Sequence, residues 1–357
     1  MRIGVLTTSY PRDDDDPAGG FVAGFARWLA ATGAEVEVIA ADARRPLFYR
    51  GGAPAALRGR GWLGAAAFSS TLLRTAAARA ARWDAIVSHW LVPSAAVGAT
   101  LARGRPHLAI AHGSDVRLLA RLPGGRALVR ALSRRADLVY VADALRVDGA
   151  PGRVVPMGID VAALAGGERE PERTRLGLDG VTALYLGRLS REKGTDRAID
   201  QLPDGVTLLI AGAGPERAAL EVQARGRSVR FLGEVRGAAK RDLLAAADLL
   251  IVPSRSEGAP TVIFEAMAAG LPIVATRAGG IAEQVRDGDN AILCEPAGLG
   301  DAVRRLRDDP VLRARLAAGA RADGARHDWR IVGPTLYGDL LHAPAASAPG
   351  RLQLSRI

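Results

Sequence analysis

Short apolar runs alternate with longer stretches of helical periodicity along the chain. Apolar strands that alternate with helices are typical of parallel sheets covered on both faces. The pattern therefore predicts an α/β protein made of two Rossmann-like, doubly wound domains. The strands are expected near residues 3–7, 35–40, 85–88, 108–111, 138–141 and 154–156 in the first half, and near 183–187, 207–211, 229–232, 249–252, 273–276 and 291–295 in the second.

The strand pattern begins again in the middle of the chain, and this sets the expected domain boundaries. Residues 1–165 form the first predicted domain and residues 181–330 the second. Residues 166–180 are predicted as a linker because they are highly charged and contain glycine and proline. Residues 343–357, rich in alanine, serine and proline, are expected to form a loosely ordered tail.

Composition excludes several classes of protein. Cys294 is the one cysteine among 357 residues, so neither a disulfide framework nor a cysteine metal site can form. No apolar run reaches the ~18 residues of a membrane span. Proline and a run of aspartates come too early in the chain for a signal peptide. These features predict a cytoplasmic enzyme.

The positive charge lies mainly in the first half. Residues 1–165 carry 21 basic and 13 acidic residues, and residues 43–83 hold eight arginines and no acid. Because apolar side chains such as Trp62 and Leu63 accompany these arginines, the segment is a candidate for peripheral binding to an anionic membrane surface, on its inner face. A solvated arginine-rich helix is the alternative. No zinc finger or aromatic RNA-binding motif is present, so nucleic acid is not an expected partner.

Polar residues and glycines directly follow several predicted strands. His89, His112, Arg188 and Gly212 each come next to a strand end, and Glu257 lies in the loop after the 249–252 strand. In an open parallel sheet, ligands bind outside the carboxyl ends of the strands. We therefore expect these residues on the walls of one cleft between the two domains.

Glu257 and Glu265 lie eight positions apart around the start of a predicted helix. A helix start offers unpaired N–H groups to a phosphate, and nearby carboxylates accept hydrogen bonds from sugar hydroxyls. The spacing thus suits a sugar linked to a diphosphate, although two solvated acids on an amphipathic helix would show the same spacing. The residues that follow Glu257, namely Gly258, Ala259, Pro260 and Thr261, are candidates for donor binding as well.

Residues 187–194, GRLSREKG, place Arg188 and Lys193 in a loop between a strand and a helix. A leaving nucleoside diphosphate gains negative charge as its glycosidic bond breaks, so fixed cations stabilise the transition state more than the ground state. A surface salt bridge is the alternative. Lys193 is one of two lysines in an arginine-dominated chain, which favours a function.

Two further positions in the first half are candidates for ligand contacts. His112 can hydrogen-bond a sugar hydroxyl or an acceptor, and a buried core histidine is the alternative. Gly19 and Gly20, after the first strand, allow backbone N–H groups to approach phosphates. The aspartate run at 13–16 is more typical of a solvated loop than of a metal site, so no metal is expected.

With Gly19-Gly20, residues 112–115, residues 187–194 and residues 257–265 in this order, the chain resembles the retaining glycosyltransferases of family four, which have the GT-B fold. The resemblance implies that the first domain binds the acceptor and the second the nucleotide-sugar donor, with a helix near 331–341 packing back on the first. The basic first domain then suits a lipid-linked or otherwise anionic acceptor. The roles implied are diphosphate binding for Arg188 and Lys193, hexose contact for Glu257 and His112, ribose binding for Glu265, and proximity to the diphosphate for Gly19 and Gly20.

The candidate residues and the resemblance together imply metal-independent transfer of a hexose-type sugar to an acceptor hydroxyl, with no cofactor, and the resemblance implies retention at the anomeric carbon. No carboxylate is clearly placed as a covalent nucleophile, so same-face attack is expected, with the departing phosphate taking the acceptor's proton. Two alternatives stay open. A nucleotide-sugar epimerase would need no acceptor, and a non-catalytic nucleotide-sugar-binding protein would have little need of all four charged residues.

Overall fold

The computed structural model describes residues 1–13, 16, 19–41, 61–337 and 350–357. The chain divides into two compact units, one formed by Met1–Gly158 with Trp329–Ile357 and the other by Ile159–Asp328. Within the described ranges, no helix is both long enough and apolar enough to span a bilayer.

Strands and helices alternate through both units. The strands are β1 (Arg2–Thr7), β2 (Glu35–Ala40), β3 (Ala85–His89), β4 (His107–Ala111), β5 (Asp137–Tyr140), β6 (Arg153–Val154), β7 (Val181–Leu186), β8 (Val206–Ala211), β9 (Val229–Gly233), β10 (Leu249–Val252), β11 (Ile273–Thr276), β12 (Ala291–Cys294) and β13 (Leu352–Arg356). The helices are α1 (Gly20–Ala31), α2 (Gly61–Ala80), α3 (Ala96–Leu101), α4 (Ser114–Arg121), α5 (Gly125–Ser133), α6 (Val161–Leu164), α7 (Arg169–Leu176), α8 (Thr195–Asp200), α9 (Arg217–Gln223), α10 (Gly237–Ala246), α11 (Thr261–Ala268), α12 (Ile281–Gln284), α13 (Leu299–Asp308), α14 (Pro310–Gly324) and α15 (Trp329–Tyr337).

The first unit contains a seven-stranded sheet in the order β13-β2-β1-β3-β4-β5-β6, and every pairing is parallel. Strands buried on both faces read as continuous apolar runs, which is why β1 and β4 have no polar alternation. Helix α2 packs on this sheet through residues at helical spacing, namely Phe68, Leu72, Ala76 and Ala80.

The second unit contains a six-stranded parallel sheet in the order β12-β11-β10-β7-β8-β9. Two apolar clusters cover its faces, one including Phe264 and Met267 of α11 and the other including Leu299 and Leu306 of α13. Both sheets have the doubly wound, parallel form that the strand pattern predicted. The polar loops after β7, β8 and β10 therefore emerge at one edge of this sheet.

The predicted linker is not an irregular segment. Residues 169–176 form helix α7, and the Arg169 guanidinium donates to the carbonyl oxygens of Ala245 and Ala247, each at 2.9 Å. It also contacts Asp248 Oδ1 at 2.7 Å. These bonds satisfy carbonyl groups at the end of α10, which would otherwise lack partners. The high charge content of residues 166–180 predicted a linker. In the structure, charged side chains of this segment such as Arg169 bind α7 to the end of α10.

The end of the chain also differs from the sequence prediction. Residues 352–356, expected in a loosely ordered tail, form the parallel edge strand β13 beside β2. Its ends are fixed by bonds from Val36 N to Arg351 O at 2.8 Å and from Ile357 N to Ala40 O at 3.0 Å. The side chains of residues 352–356 give little sign of a strand, and the strand forms because its backbone groups pair with strand β2. The predicted helix at 331–341 corresponds to α15, and residues 338–349 lie outside the described part of the chain.

Candidate active site

The loop between β7 and α8 carries Arg188 and Lys193 and is tied to the loop after β10. Arg188 forms an ion pair with Glu192, whose Oε1 also accepts from Ser190 Oγ at 2.8 Å. The backbone oxygen of Glu192 accepts from Arg255 N at 2.8 Å. Two loops that leave adjacent strands are thus fixed against each other.

Lys193 and Glu257 form the tightest contact between these loops. Lys193 Nζ lies 2.7 Å from Glu257 Oε1, and Ser254 Oγ donates to the same oxygen at 2.8 Å. The Glu257 side chain is 8% exposed and that of Lys193 26% exposed. A carboxylate this buried requires paired charges and hydrogen bonds, and it has both. The structure therefore brings together two residues that the sequence placed 64 positions apart.

Glu265 has a partner that the sequence reasoning missed. On α11, its Oε1 accepts from Lys240 Nζ of α10 at 3.1 Å, and the Glu265 side chain is 18% exposed. The signal was available, because Lys240 is the second of the two lysines in the chain. Helix periodicity alone gave no reason to place these two side chains in contact.

The first turn of α11 has no side-chain cap. Pro260 precedes the helix and provides no side-chain cap for its N–H groups, and Gly258 and Ala259 lead into it without polar side chains. The N–H groups at a helix start together with the helix dipole favour a phosphate. Thr261, the first residue of the helix, has its hydroxyl in this turn.

Close backbone contacts explain the glycines of this site. A Cβ on Gly212 would lie 1.8 Å from the carbonyl oxygen of Gly187, and the φ of Gly212 is 154°. A Cβ on Gly279, at φ 54°, would lie 2.1 Å from the carbonyl oxygen of Glu257. Only glycine lets the loops approach this closely at such angles. The glycines thus position the loops that carry Arg188 and Glu257.

In the first unit, His112 pairs with His89 and contacts aromatic rings. His89 Nδ1 and His112 Nε2 are 3.0 Å apart, and the ring centroids of Phe21 and Trp90 lie 4.9 and 4.8 Å from that of His112. Burial lowers the pKa of His89 to about 3, and burial together with His89 lowers the pKa of His112 well below its usual value. Both rings are therefore neutral at neutral pH, and His112 is a hydrogen-bonding group rather than a cation.

Asp115 fixes the position of His112 and was given no role from sequence. Its fully buried carboxylate accepts from the backbone N–H groups of Leu91 at 2.7 Å, Gly113 at 2.9 Å and His112 at 3.2 Å. Burial raises the pKa of Asp115, and the backbone donors oppose that rise. One side chain thus joins the loops after β3 and β4. The HGSD sequence was a visible signal, but only the fold shows that its aspartate reaches a second loop.

The N-terminal loop is only partly described. Gly19, at φ 69°, would place a Cβ 2.4 Å from the Ser9 carbonyl oxygen, whereas a Cβ on Gly20 would meet nothing within 4 Å. In the aspartate run, Asp16 accepts from Arg12 Nε at 2.9 Å, and Asp14 and Asp15 lie outside the described residues. Elsewhere in the described chain, no group of three or more His, Cys, Asp or Glu could hold a metal ion.

The predicted site residues fall into two sets. Gly19, Gly20 and His112 belong to the first unit, and the other predicted residues belong to the second. Within the second unit the structure joins Lys193 to Glu257 directly, while Glu265 is held by Lys240. The arrangement provides cations, an uncapped helix start and partly free carboxylates at the carboxyl edge of one sheet.

Two family models match successive parts of the chain. Residues 18–163 match the family description "Glycosyltransferase Family 4", and residues 180–309 match "Glycosyl transferases group 1". The chain is 32% identical over 339 residues to a D-inositol 3-phosphate glycosyltransferase of Acidothermus cellulolyticus, covering 80% of this chain and 74% of that protein. It is 30% identical over 297 residues to TuaC of Bacillus subtilis, a glycosyltransferase assigned to teichuronic acid biosynthesis, covering 75% of each chain.

The fold has solved counterparts as well. HepE of Anabaena, solved in complex with UDP, superposes with a TM-score of 0.73 at 23% identity, covering 94% of this chain and 98% of that one. This likeness concerns the fold, because the identity is low. With matches across both units and relatives at this identity and coverage, the chain belongs to the glycosyltransferases of family four, which have the GT-B fold.

Proposed function

We propose that this glycosyltransferase moves a hexose-type sugar from a nucleoside-diphosphate donor to an acceptor hydroxyl with retention at the anomeric carbon. The observation that carries the proposal is the contact of Lys193 Nζ with Glu257 Oε1 at 2.7 Å beside the uncapped start of α11. An ammonium group and free N–H groups suit a diphosphate, and the adjacent carboxylate suits sugar hydroxyls.

The proposed reaction is attack by the acceptor oxygen on the face from which the diphosphate leaves. The new bond joins this oxygen to the anomeric carbon, the bond from that carbon to the phosphate oxygen breaks, and the acceptor's proton passes to the departing phosphate. Arg188 and Lys193 stabilise the negative charge that develops on the diphosphate. Glu257 orients the hexose, and Glu265 binds the ribose. Neutral His112 donates a hydrogen bond to the sugar or accepts one from it.

The donor is supported in general terms by the neighbouring structures. HepE binds UDP, and another structure of the same protein contains UDP-glucose. We propose a nucleotide-sugar donor of this kind that is held without a metal ion, because Arg188, Lys193 and the start of α11 supply the positive charge that a diphosphate needs.

A ligand panel followed by a transfer assay tests this function. A nucleoside diphosphate present at 100 times its dissociation constant should add about 2.7 kcal/mol of stability, so UDP, GDP and ADP are compared by thermal shift. The matching nucleotide sugar is then supplied with and without acceptors, and with and without EDTA. We expect an α-configured product from an α-configured donor, formed only with acceptor and at an unchanged rate in EDTA. An inverted product would contradict retention.

The same assay separates the two alternatives. An epimerase would convert the donor in the absence of any acceptor, and a non-catalytic protein would bind the donor without turnover across all acceptors. The relatives named above are glycosyltransferases, which does not favour either alternative. A cation beside the diphosphate would stabilise the leaving group in a transferase and in an epimerase alike, so the need for an acceptor is what separates these two.

We also propose a lipid-linked or other anionic acceptor, with the protein bound peripherally to a membrane through residues 43–83. Residues 43–60 lie outside the described part, and α2 covers most of the rest. Its side chains Leu63 and Leu73 are 53% and 39% exposed, so apolar groups are available beside the arginines. We expect co-sedimentation with vesicles containing phosphatidylglycerol at low salt, weakened by Leu63→Glu and by high salt. Equal binding to neutral vesicles would contradict the proposal that the arginines attract an anionic membrane surface.

A further inference from the structure

The two lysines of the chain each contact one of the two glutamates of the donor site. Lys193 Nζ lies 2.7 Å from Glu257 Oε1, and Lys240 Nζ lies 3.1 Å from Glu265 Oε1. All other members of the 48 basic residues are arginine. The first lysine belongs to the loop that the proposed mechanism uses, whereas Lys240 has no role in it. The repeated choice of lysine at these two positions calls for a physical reason.

Some arginine pairs in this protein engage both oxygens of a carboxylate, whereas others, such as Arg217 with Glu221, contact one. Arg255 Nη1 and Nη2 contact Asp196 Oδ1 and Oδ2 at 2.6 and 2.5 Å. Arg175 Nη2 and Nε likewise contact Glu172 Oε1 and Oε2 at 2.6 and 2.7 Å. A planar guanidinium matches the geometry of a carboxylate and leaves neither oxygen open.

Each lysine leaves one oxygen of its glutamate open. Lys240 contacts Oε1 of Glu265, and Oε2 has no hydrogen-bond partner within the described residues. The same holds for Glu257, where Lys193 and Ser254 both contact Oε1. An ammonium group is a compact charge that forms single contacts, so it holds a carboxylate in place without covering it. The open oxygen can then accept a hydrogen bond from a ligand hydroxyl.

Stability alone does not account for the second pair. The Lys240 and Glu265 side chains are 27% and 18% exposed. A single ion pair with this exposure contributes little to folding, and arginine would supply the charge as well as lysine. Lysine cannot form the two-oxygen contact that is open to a guanidinium, so it leaves Oε2 of Glu265 free.

We propose that Lys240 is a positioning residue of the nucleotide subsite, holding Glu265 through Oε1 so that Oε2 accepts a hydrogen bond from a ribose hydroxyl. This inference rests on the proposed function, in which Glu265 binds the ribose. Lys240 touches neither the sugar nor the diphosphate in this role. Its effect is on donor affinity and on the distinction between ribose and deoxyribose.

The variants Lys240→Arg and Lys240→Met test this role. Dissociation constants are measured by calorimetry for UDP, GDP and ADP and for their 2′-deoxy and 3′-deoxy analogues. The wild type should prefer a ribonucleotide over one deoxy analogue by about tenfold or more, since a hydrogen bond to a charged group has this effect. Both variants should lose most of that preference. The donor KM should rise about tenfold while kcat at saturating donor stays within about twofold.

Arg241→Lys is the matched control. Arg241 lies next to Lys240 on α10 and pairs with Asp242 at 2.9 Å, so this variant exchanges the same two residue types on the same helix. It should keep the wild-type preference for ribose. A structural role of Lys240 would weaken ribose and deoxyribose ligands equally and leave the preference unchanged, which would overturn the inference.

The outcomes also separate the inference from the function on which it rests. If the wild type prefers ribose and Lys240→Arg shows the same preference, only the role of Lys240 is overturned. A wild type that binds a diphosphate without any preference overturns the ribose role of Glu265 and this inference together. A wild type that binds none of the three diphosphates overturns the proposed function.

Discussion

Replacement of Lys193 by methionine is expected to lower kcat/KM for sugar transfer by a factor of about 10² to 10³, because a fixed cation at a developing charge has an effect of this size. Methionine keeps most of the length of the side chain and removes the ammonium group. The diphosphate loses a cation, and Glu257, whose side chain is 8% exposed, loses its charged partner. Steady-state kinetics with varied donor measures the loss, and we expect it mainly in kcat.

Arg175→Met is the control for removing one cation from an ion pair. Arg175 pairs with Glu172 on α7, and its side chain is 66% exposed, so its loss should leave kcat/KM unchanged. Arg175→Met should unfold within a few degrees of the wild type, whereas Lys193→Met should unfold at a lower temperature because the buried Glu257 carboxylate loses its charged partner. A Lys193→Met enzyme with kcat/KM within about twofold of wild type would remove Lys193 from the mechanism.

The second large effect is expected from Gly212→Ala. The new methyl group would lie 1.8 Å from the carbonyl oxygen of Gly187, at a φ of 154° that alanine rarely adopts. The loops after β7 and β8 must then separate, at a cost of about 2–4 kcal/mol in the free energy of unfolding. The loop with Arg188 and Lys193 moves with Gly187, so donor affinity should fall as well. Chemical denaturation and donor titration measure the two effects.

Gly226→Ala separates crowding from backbone strain. Gly226 has a φ of 75°, but a Cβ there would meet nothing within 4 Å. Its replacement should cost only about 1 kcal/mol of conformational strain, with normal donor binding. If Gly212→Ala and Gly226→Ala lower the free energy of unfolding equally, the clash of the new Cβ with the Gly187 carbonyl oxygen contributes nothing to the loss of stability.

The fold was predictable because its strands are buried and continuous. β2, β10 and β11 begin and end at the predicted residues, since apolar runs bounded by glycine and charge are the clearest signals of parallel strands. The failures have a common cause. Helix α7 and strand β13 owe their form to bonds with distant segments, and residues 169–176 and 352–356 carry no strong local pattern.

The candidate site was predictable to the level of single loops. Motifs at strand ends identified Arg188, Lys193, Glu257 and Glu265 as residues of one sheet edge, because a parallel sheet fixes that edge. The partners of these residues were not predictable. Lys240 and Glu265 are 25 positions apart in the chain and lie on different helices, and side-chain contacts between helices depend on packing. Asp115 likewise bonds to Leu91, which lies 24 positions earlier.

Strand β13 has a consequence for the order of assembly during synthesis. It pairs with β2, so the edge of the first sheet needs residues 352–356. The second unit, Ile159–Asp328, is contiguous and has all its strands once residue 328 has left the ribosome. Domains that are contiguous tend to fold as they emerge, whereas distant pairings wait for the later segment. Lys193, Glu257 and the other residues of the second unit can therefore reach their folded positions on the nascent chain before the sheet of the first unit is complete.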